Sequence, residues 1–270
     1  MMESRNYRVE RNAEIADRIY QMSVFAPDIA RAAVPGQFVH VRIPDPSRIL
    51  RRPISINSAD EEKGLVELVY RIAGKGTELL TDRKMGDTVN LLGPLGRGFD
   101  VSGATQILLI GGGCGVAPLR FPFRKWPHLL FHSILGFRNL SSAYQVEEFS
   151  ERSEEVWIAT EDGSLGSRGT VTDLADGFLK RRRPDRILSC GPVPMLKKVQ
   201  ELARKYQVPC QLSLEERMGC GIGGCLVCAC AVVGKDGWQY KRVCADGPVF
   251  NSEEVVWNDE VFPGREPVRH

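Results

Sequence analysis

Gln106-Ile107-Leu108-Leu109-Ile110-Gly111-Gly112-Gly113-Cys114-Gly115-Val116-Ala117-Pro118-Leu119 joins an apolar run to a cluster of glycines. Such a run suits a strand buried on both faces, as inside a parallel sheet. The glycines that follow let backbone amides approach a dinucleotide pyrophosphate without interference from Cβ atoms. A second turn, Cys190-Gly191-Pro192-Val193-Pro194-Met195, also follows a short apolar run. Two strand-end turns of this kind can line one crevice, although each taken alone is also explained as a tight strand-to-helix connection. Gly111, Gly112, Gly113, Gly115, Gly191 and Pro192 are therefore candidate nucleotide-binding residues. The runs at 132–137, 156–160 and 186–189, with polar or helical segments between them, repeat the alternation of an α/β parallel-sheet domain.

Before residue 103 the pattern differs. Residues 7–13, 37–43, 65–72 and 88–92 read as short strands, punctuated by Pro35-Gly36, Gly64, Gly86-Asp87 and Gly93-Pro94. This spacing favours a small antiparallel barrel. A helix-like stretch at 77–83 follows Gly74-Lys75-Gly76, a junction suited to phosphate. Arg51-Arg52-Pro53-Ile54-Ser55 combines arginine, a rigid proline and a hydroxyl, which suits bidentate phosphate contact and a hydrogen bond to a planar ring. The same residues also fit a strand edge with a surface ion pair. Val69-Tyr70-Arg71 adds an aromatic face and a second cation, and with Gly76-Thr77 the three patches describe a cradle for a flavin dinucleotide.

Beyond residue 208 the chain turns rich in cysteine and glycine. Cys220, Cys225, Cys228 and Cys244 follow the order C-x4-C-x2-C with a fourth cysteine after fifteen further residues, the plant-type [2Fe-2S] ligand spacing. Structural zinc usually pairs two C-x2-C knuckles, and only one is present here. Disulfides need an oxidising compartment, and the N-terminal MMESRNYRVERNAEIAD lacks the apolar core of a secretory signal. Cys230 competes with Cys228 as a ligand, but the spacing favours Cys228. The segment is too small for a large core of its own, so a cluster is expected to organise it. It closes with an irregular tail at 249–267 that contains Trp257 and Phe262.

With 270 residues and 43% apolar content the chain is long enough for two domains and an appended module. A formal charge of +2, from 36 basic and 34 acidic residues, gives no overall field for nucleic acid or an anionic membrane. The longest apolar run is far below the roughly 20 residues of a membrane span, so a cytoplasmic location is expected. Lys180-Arg181-Arg182-Arg183-Pro184 reads as a helix end, where cations offset the macrodipole before proline stops the helix. No aromatic residues interleave it as a nucleic-acid patch would require.

RPIS at 52–55, VYRIAGKGT at 69–77, LLGPLGRGF at 91–99 and GGGCGVAPL at 111–119 resemble the ferredoxin–NADP reductase superfamily. TEDGSLG at 160–166, CGPVPML at 190–196, SLEERMGCGIGGCLVCAC at 213–230 and VCADGPVF at 243–250 narrow the resemblance to the electron-transfer subunits of NAD-dependent dihydroorotate dehydrogenase. The resemblance spans nearly the whole chain. It implies a multidomain fold: an FAD-binding antiparallel β-barrel at 1–102, an NAD-binding α/β domain at 103–207 and a [2Fe-2S] module at 208–270. It also implies a separate FMN-containing dihydroorotate dehydrogenase catalytic subunit, in a heterotetramer of two plus two, whose electrons pass through the cluster and FAD to NAD+. Arg52, Pro53, Ile54, Ser55, Val69, Tyr70, Arg71, Gly76 and Thr77 would contact FAD. Cys220, Cys225, Cys228 and Cys244 would ligate the cluster, and the six glycine-turn residues would border the nicotinamide nucleotide. Ser55 is the expected partner of the flavin's reactive edge, Cys190 is expected near the nicotinamide, and no general acid or base is assigned.

One departure stands out. Where the family continues into an amphipathic helix, this chain has Arg120-Phe121-Pro122-Phe123-Arg124-Lys125-Trp126-Pro127, and no helix runs unbroken through both prolines, each costing about 3 kcal/mol in a helix interior. The residues themselves leave NAD and NADP both open: Arg138 follows the second strand, where a cation can meet a 2′-phosphate, and no clear carboxylate sits there for the ribose. A flavin subunit of a hydrogenase or ferredoxin transhydrogenase complex shares the three-part layout, and the partner discriminates between them. A zinc-organised regulatory or scaffolding protein is the reading from another class.

Overall fold

In the computed structural model, which describes residues 3–234 and 237–257, the first third of the chain closes into a barrel. Its strands are β1 (Arg5–Ala16), β2 (Ile19–Phe25), β3 (Phe38–Val41), β4 (Arg52–Asp60), β5 (Leu65–Arg71) and β6 (Thr88–Leu95), ordered β1-β2-β5-β4-β3-β6. All neighbouring strands are antiparallel, and β1 pairs with β6 to close the ring. Alternate side chains fill the interior, among them Val9, Met22, Val24, Val39, Val41, Ile56, Leu68 and Leu91. Two short helices accompany the barrel, α1 (Pro27–Ala32) and α2 (Lys75–Thr81). The helix expected at 77–83 is α2, begun two residues earlier.

The expected parallel sheet follows, with β7 (Gln106–Gly112), α3 (Phe121–Lys125), β8 (Leu130–Phe137), α4 (Val146–Arg152), β9 (Glu155–Thr160), β10 (Ser167–Arg168), α5 (Val171–Leu179), β11 (Arg186–Cys190), α6 (Val193–Tyr206) and β12 (Cys210–Ser213). β7 is fully buried beyond its first residue, as its composition demands. The last segment adds β13 (Ala229–Gly234), β14 (Gly237–Arg242), β15 (Val249–Asn251) and β16 (Val255–Val256). β14, β13 and β16 form a three-stranded sheet, and β15 joins the edge of the large sheet antiparallel to β12. The large sheet therefore runs β10-β9-β8-β7-β11-β12-β15, two of its strands coming from beyond residue 207.

That arrangement corrects the expectation that a cluster must organise the last segment. Cys228, Cys230, Val232, Val243 and Trp257 are buried in one apolar core with Leu196, Val199 and Leu212 of the parallel-sheet domain and Phe38 and Leu95 of the barrel. The segment borrows its core from its neighbours. Phe262, from the expected tail, lies outside the described residues.

The proline-interrupted stretch resolves as truncation. A 3-10 turn over Gly113–Leu119 leads into α3, five residues long, with Pro122 in its first turn. There a missing N–H costs nothing, and the helix stops at Trp126, before Pro127. The basic run after α5 ends a helix as expected: Lys180 pairs with Asp176, Arg182 with Glu155, and Arg181 lies over the Trp157 ring at 5.7 Å.

Candidate redox-cofactor site

The two glycine turns meet. A Cβ on Gly115 would lie 2.3 Å from the Cys190 carbonyl oxygen and 2.5 Å from the Gly191 nitrogen, while one on Gly112 would lie 2.6 Å from Met195 Sδ. Only glycine permits this approach of backbone to backbone. At Gly113, by contrast, nothing lies within 4 Å of the Cβ position, so the turn is open on that side. The two strand-end turns thus pack directly against each other, with Gly113 left uncovered. Tyr144 anchors the turn by donating its hydroxyl to the Gly113 carbonyl at 3.1 Å.

The barrel reaches the same turn. Asn57 on β4 donates to the Ala117 carbonyl at 2.8 Å, and Arg71 at the end of β5 hydrogen-bonds Cys114, whose thiol is pushed up by burial. Arg52 extends its guanidinium onto the first turn of α2, where a Cβ on Gly76 would stand 2.9 Å from Arg52 Nε. Arg52, Gly76 and Thr77 are therefore gathered at the start of α2. The Thr77 hydroxyl accepts from Ala73 N–H at 2.9 Å and donates to the Gly74 carbonyl at 3.1 Å, so it shapes the loop. Pro53 and Ser55 share a sheet face with Phe38 and His40 of the paired strand, and Ile54 is buried with Val39 and Val41. Val69 is buried against the parallel-sheet domain.

Tyr70 departs from expectation. Its ring is buried in the barrel, stacked on Tyr20 at 5.8 Å, and its hydroxyl donates to Asn12 Oδ1 at 3.0 Å. The strand's alternation turns it inward, so it offers the cradle backbone and not an aromatic face.

The four cysteines are brought together in a loop of amides aimed at sulfur. Ile222 and Gly224 donate to Cys220 Sγ at 3.5 and 3.2 Å, Gly223 to Cys244 Sγ at 3.2 Å, Cys220 N–H to Cys225 Sγ at 3.4 Å, and Cys244 N–H to Cys228 Sγ at 3.4 Å. Burial opposes ionisation of Cys220, but these amides and Cys225 outweigh it and bring the thiol down to about 6. Burial and the adjacent Cys228 push Cys244 up to about 12. The sulfurs form two pairs, Cys220 with Cys225 and Cys228 with Cys244. Among the described residues, no three cysteine, histidine, aspartate or glutamate side chains gather where one ion would sit. Two cysteine pairs held by backbone N–H groups suit a two-iron centre better than a single tetrahedral ion. Cys230 is buried, its thiol pushed up to about 12 by burial, Glu216 and Cys228, and it takes no part in these amide contacts.

Several participants escaped the sequence reading. Arg242 donates to the Gly223 carbonyl at 3.0 Å and forks onto Asp246 at 2.9 and 3.1 Å, tying the cluster loop to the turn after Cys244. Arg120 joins Glu67 on β5, Glu148 on α4 and Asn57 Oδ1, clamping barrel to parallel-sheet domain. The sequence offered only an arginine at the head of the proline-interrupted segment. His40, fully buried on β3, touches the cluster loop at Gly221.

Comparisons with known proteins agree with this architecture. Residues 9–99 match the family described as "Oxidoreductase FAD-binding domain", and residues 215–256 match the "Iron-sulfur cluster binding domain of dihydroorotate dehydrogenase B". The dihydroorotate dehydrogenase B (NAD(+)) electron transfer subunit of Desulforamulus reducens is 43% identical over 247 residues, covering 90% of this chain and 94% of that one. Its counterpart in Caldanaerobacter subterraneus is 40% identical over 250 residues, covering 93% and 97%. Among solved structures, a chain of the NADH-dependent reduced ferredoxin-NADP oxidoreductase, described for flavin-based electron bifurcation, superposes with a TM-score of 0.84 at 32% identity over 94% of this chain and 91% of its own. The match runs along nearly the full length of these relatives, and the chain belongs to the family of dihydroorotate dehydrogenase B (NAD(+)) electron transfer subunits.

Proposed function

We propose that this subunit takes electrons from an FMN-containing, dihydroorotate-oxidising partner and delivers them to NAD+, in a cytoplasmic heterotetramer of two plus two. The observation that carries it is the pairing of Cys220 with Cys225 and of Cys228 with Cys244 under converging amides. Those four residues would hold the [2Fe-2S] cluster. Arg52, Pro53, Ile54, Ser55, Val69, Tyr70, Arg71, Gly76 and Thr77 would hold FAD, Tyr70 through its backbone alone. Gly111, Gly112, Gly113, Gly115, Gly191 and Pro192 would border the nicotinamide nucleotide. When bound, the flavin supplies the conversion between single-electron exchange and hydride exchange with nicotinamide. The chain's own task is placement: Asn57 and Arg71 lock the barrel onto the glycine turn, and no side chain is assigned a proton-transfer role.

The division of labour follows residues 1–102, 103–207 and 208–270. A partner fits the exposed rim of the cluster loop, where Ile222, Leu226 and Val227 stand out to solvent beside the exposed Cys225. Eight free cysteines suit a reducing compartment. Anaerobic co-purification with the FMN subunit, followed by an optical spectrum and a dihydroorotate:NAD+ assay, tests the assignment. Flavin and cluster bands with NADH formation are expected. A colourless chain with stoichiometric zinc would sink it.

A further inference from the structure

β3 is buried along its whole length, yet one of its four residues is a histidine. Val39 and Val41 face the barrel interior; Phe38 and His40 face the other way, and Phe38 enters the apolar core that holds Cys228, Cys230 and Cys244. His40 is paired across the sheet with Pro53 of the flavin-cradle motif on one side and with Leu92 on the other. Its ring is 0% exposed and stands edge-on to Phe38 at 5.8 Å, and neither ring nitrogen has a hydrogen-bond partner among the described residues. The atom nearest to a Cβ built on Gly221 is His40 Nδ1, at 2.4 Å. Gly221, at φ +74°, directly follows Cys220.

A buried polar group without a partner destabilises the fold, and leucine would fill this site without that cost. Burial and the Arg51 charge push the ring down to about 4, so it is a neutral imidazole with one N–H to give. The ring packs against the cysteine loop at Gly221.

We propose that the His40 imidazole donates its N–H to the sulfur shell of the iron–sulfur centre, which makes His40 a positioning and potential-tuning residue at the seam between flavin cradle and cluster loop. This rests on the assignment of Cys220, Cys225, Cys228 and Cys244 as ligands. Hydrogen bonds to sulfur stabilise the reduced cluster and raise its potential. Gly221 is then required because any side chain there would displace the ring.

The test uses the holo-subunit labelled with ¹⁵N-histidine and reduced anaerobically. Pulsed EPR of the wild type is expected to show a histidine ¹⁵N coupling to the cluster. His40→Leu is expected to remove it and shift the cluster midpoint potential downward with flavin content unchanged, while His40→Gln, which keeps an N–H, recovers part of the shift. A reduced cluster with no histidine coupling in the wild type would overturn the proposal even if the variants failed to fold. So would an unshifted cluster potential in His40→Leu, or a shift confined to the flavin. No cluster signal at all in the wild type would instead overturn the ligand assignment beneath it.

Discussion

Gly115 is seated against the backbone of Cys190 so closely that a Cβ would stand 2.3 Å from the Cys190 carbonyl oxygen. Cys190 is backbone held in the sheet by the pairing of β11 with β7, and Gly115 lies in the buried 3-10 turn packed on it, so neither side gives easily. Gly115→Ala is expected to cost about 1–3 kcal/mol, the usual range for overpacking. It should also raise the KM for NADH several-fold while flavin content stays at the wild-type level. Thermal denaturation and steady-state NADH oxidation with an artificial acceptor measure the two effects, and a wild-type KM would remove the two turns from the nucleotide site.

Arg52 and Gly76 meet in the same way at the opposite end of the site. A guanidinium placed there suits a phosphate group, and loss of a charged hydrogen bond costs about 1.5–3 kcal/mol. Arg52→Ala should therefore weaken FAD retention by roughly ten- to a hundred-fold by that measure. Equilibrium dialysis of flavin against the variant checks this, and unchanged retention would remove Arg52 from the cradle.

Much of this was legible because it is local. β7 announces itself by four apolar residues and the glycines after them, and the cysteine spacing needs no fold to be read. What was missed is non-local. Nothing in the sequence signals β2, and β4 shows only as a strand edge at residues 51–55; Pro53 counts against an interior strand, yet β4 pairs along both edges in a closed barrel. The pairing of β15 with β12 spans a loop of more than thirty residues, so nothing near either strand signals it. Arg120 finds its partners 53 and 28 residues away. His40 had one visible signal, a polar residue in the run Phe38-Val39-His40-Val41.

The Arg120 clamp makes its own prediction. The side chain is 17% exposed, and its carboxylate partners Glu67 and Glu148 are 29% and 38% exposed, so solvent screens the pairs only in part. Arg120→Ala leaves two carboxylates facing each other without their cation. Breaking a fully buried pair costs about 3–5 kcal/mol; partial exposure lowers the expectation to about 1–3 kcal/mol. Glu67→Gln, which keeps a hydrogen-bond acceptor, should cost less. Urea denaturation monitored by flavin release would show it, since this clamp joins the two halves of the cofactor site.

His132 sets a pH dependence. It is buried on β8 against Phe178, with rings 5.1 Å apart, and burial followed by the Arg182 charge lowers its affinity for a proton below that of a free histidine. In the unfolded chain it takes up a proton near pH 6.5, before the folded protein does. Its contribution to stability is therefore complete above about pH 6.5 and is lost as pH falls below that value. Melting temperatures measured in steps from pH 7.5 to 5.5 should decline, and His132→Gln should flatten the decline. An identical slope in the variant would contradict the assignment.

Cys225 and Cys230 separate the ligand sets. Cys225 is exposed in the loop and receives the Cys220 amide, whereas Cys230 lies on β13, paired with Lys241 of β14 and buried in the shared core. Moving ligation from Cys228 to Cys230 would require β13 to leave its register, because Cys230 is held in the ladder opposite Lys241 and packed in the core. Cys225→Ser should abolish the cluster spectrum while FAD stays bound, and electron delivery from the partner to NAD+ should stop. Cys230→Ala should keep full iron content and an unaltered EPR signal, at a stability cost of about 1 kcal/mol for the lost sulfur packing. Iron analysis with EPR on these variants and on Cys228→Ala decides it: loss of the cluster in Cys230→Ala with retention in Cys228→Ala would replace Cys228 by Cys230 in the ligand set.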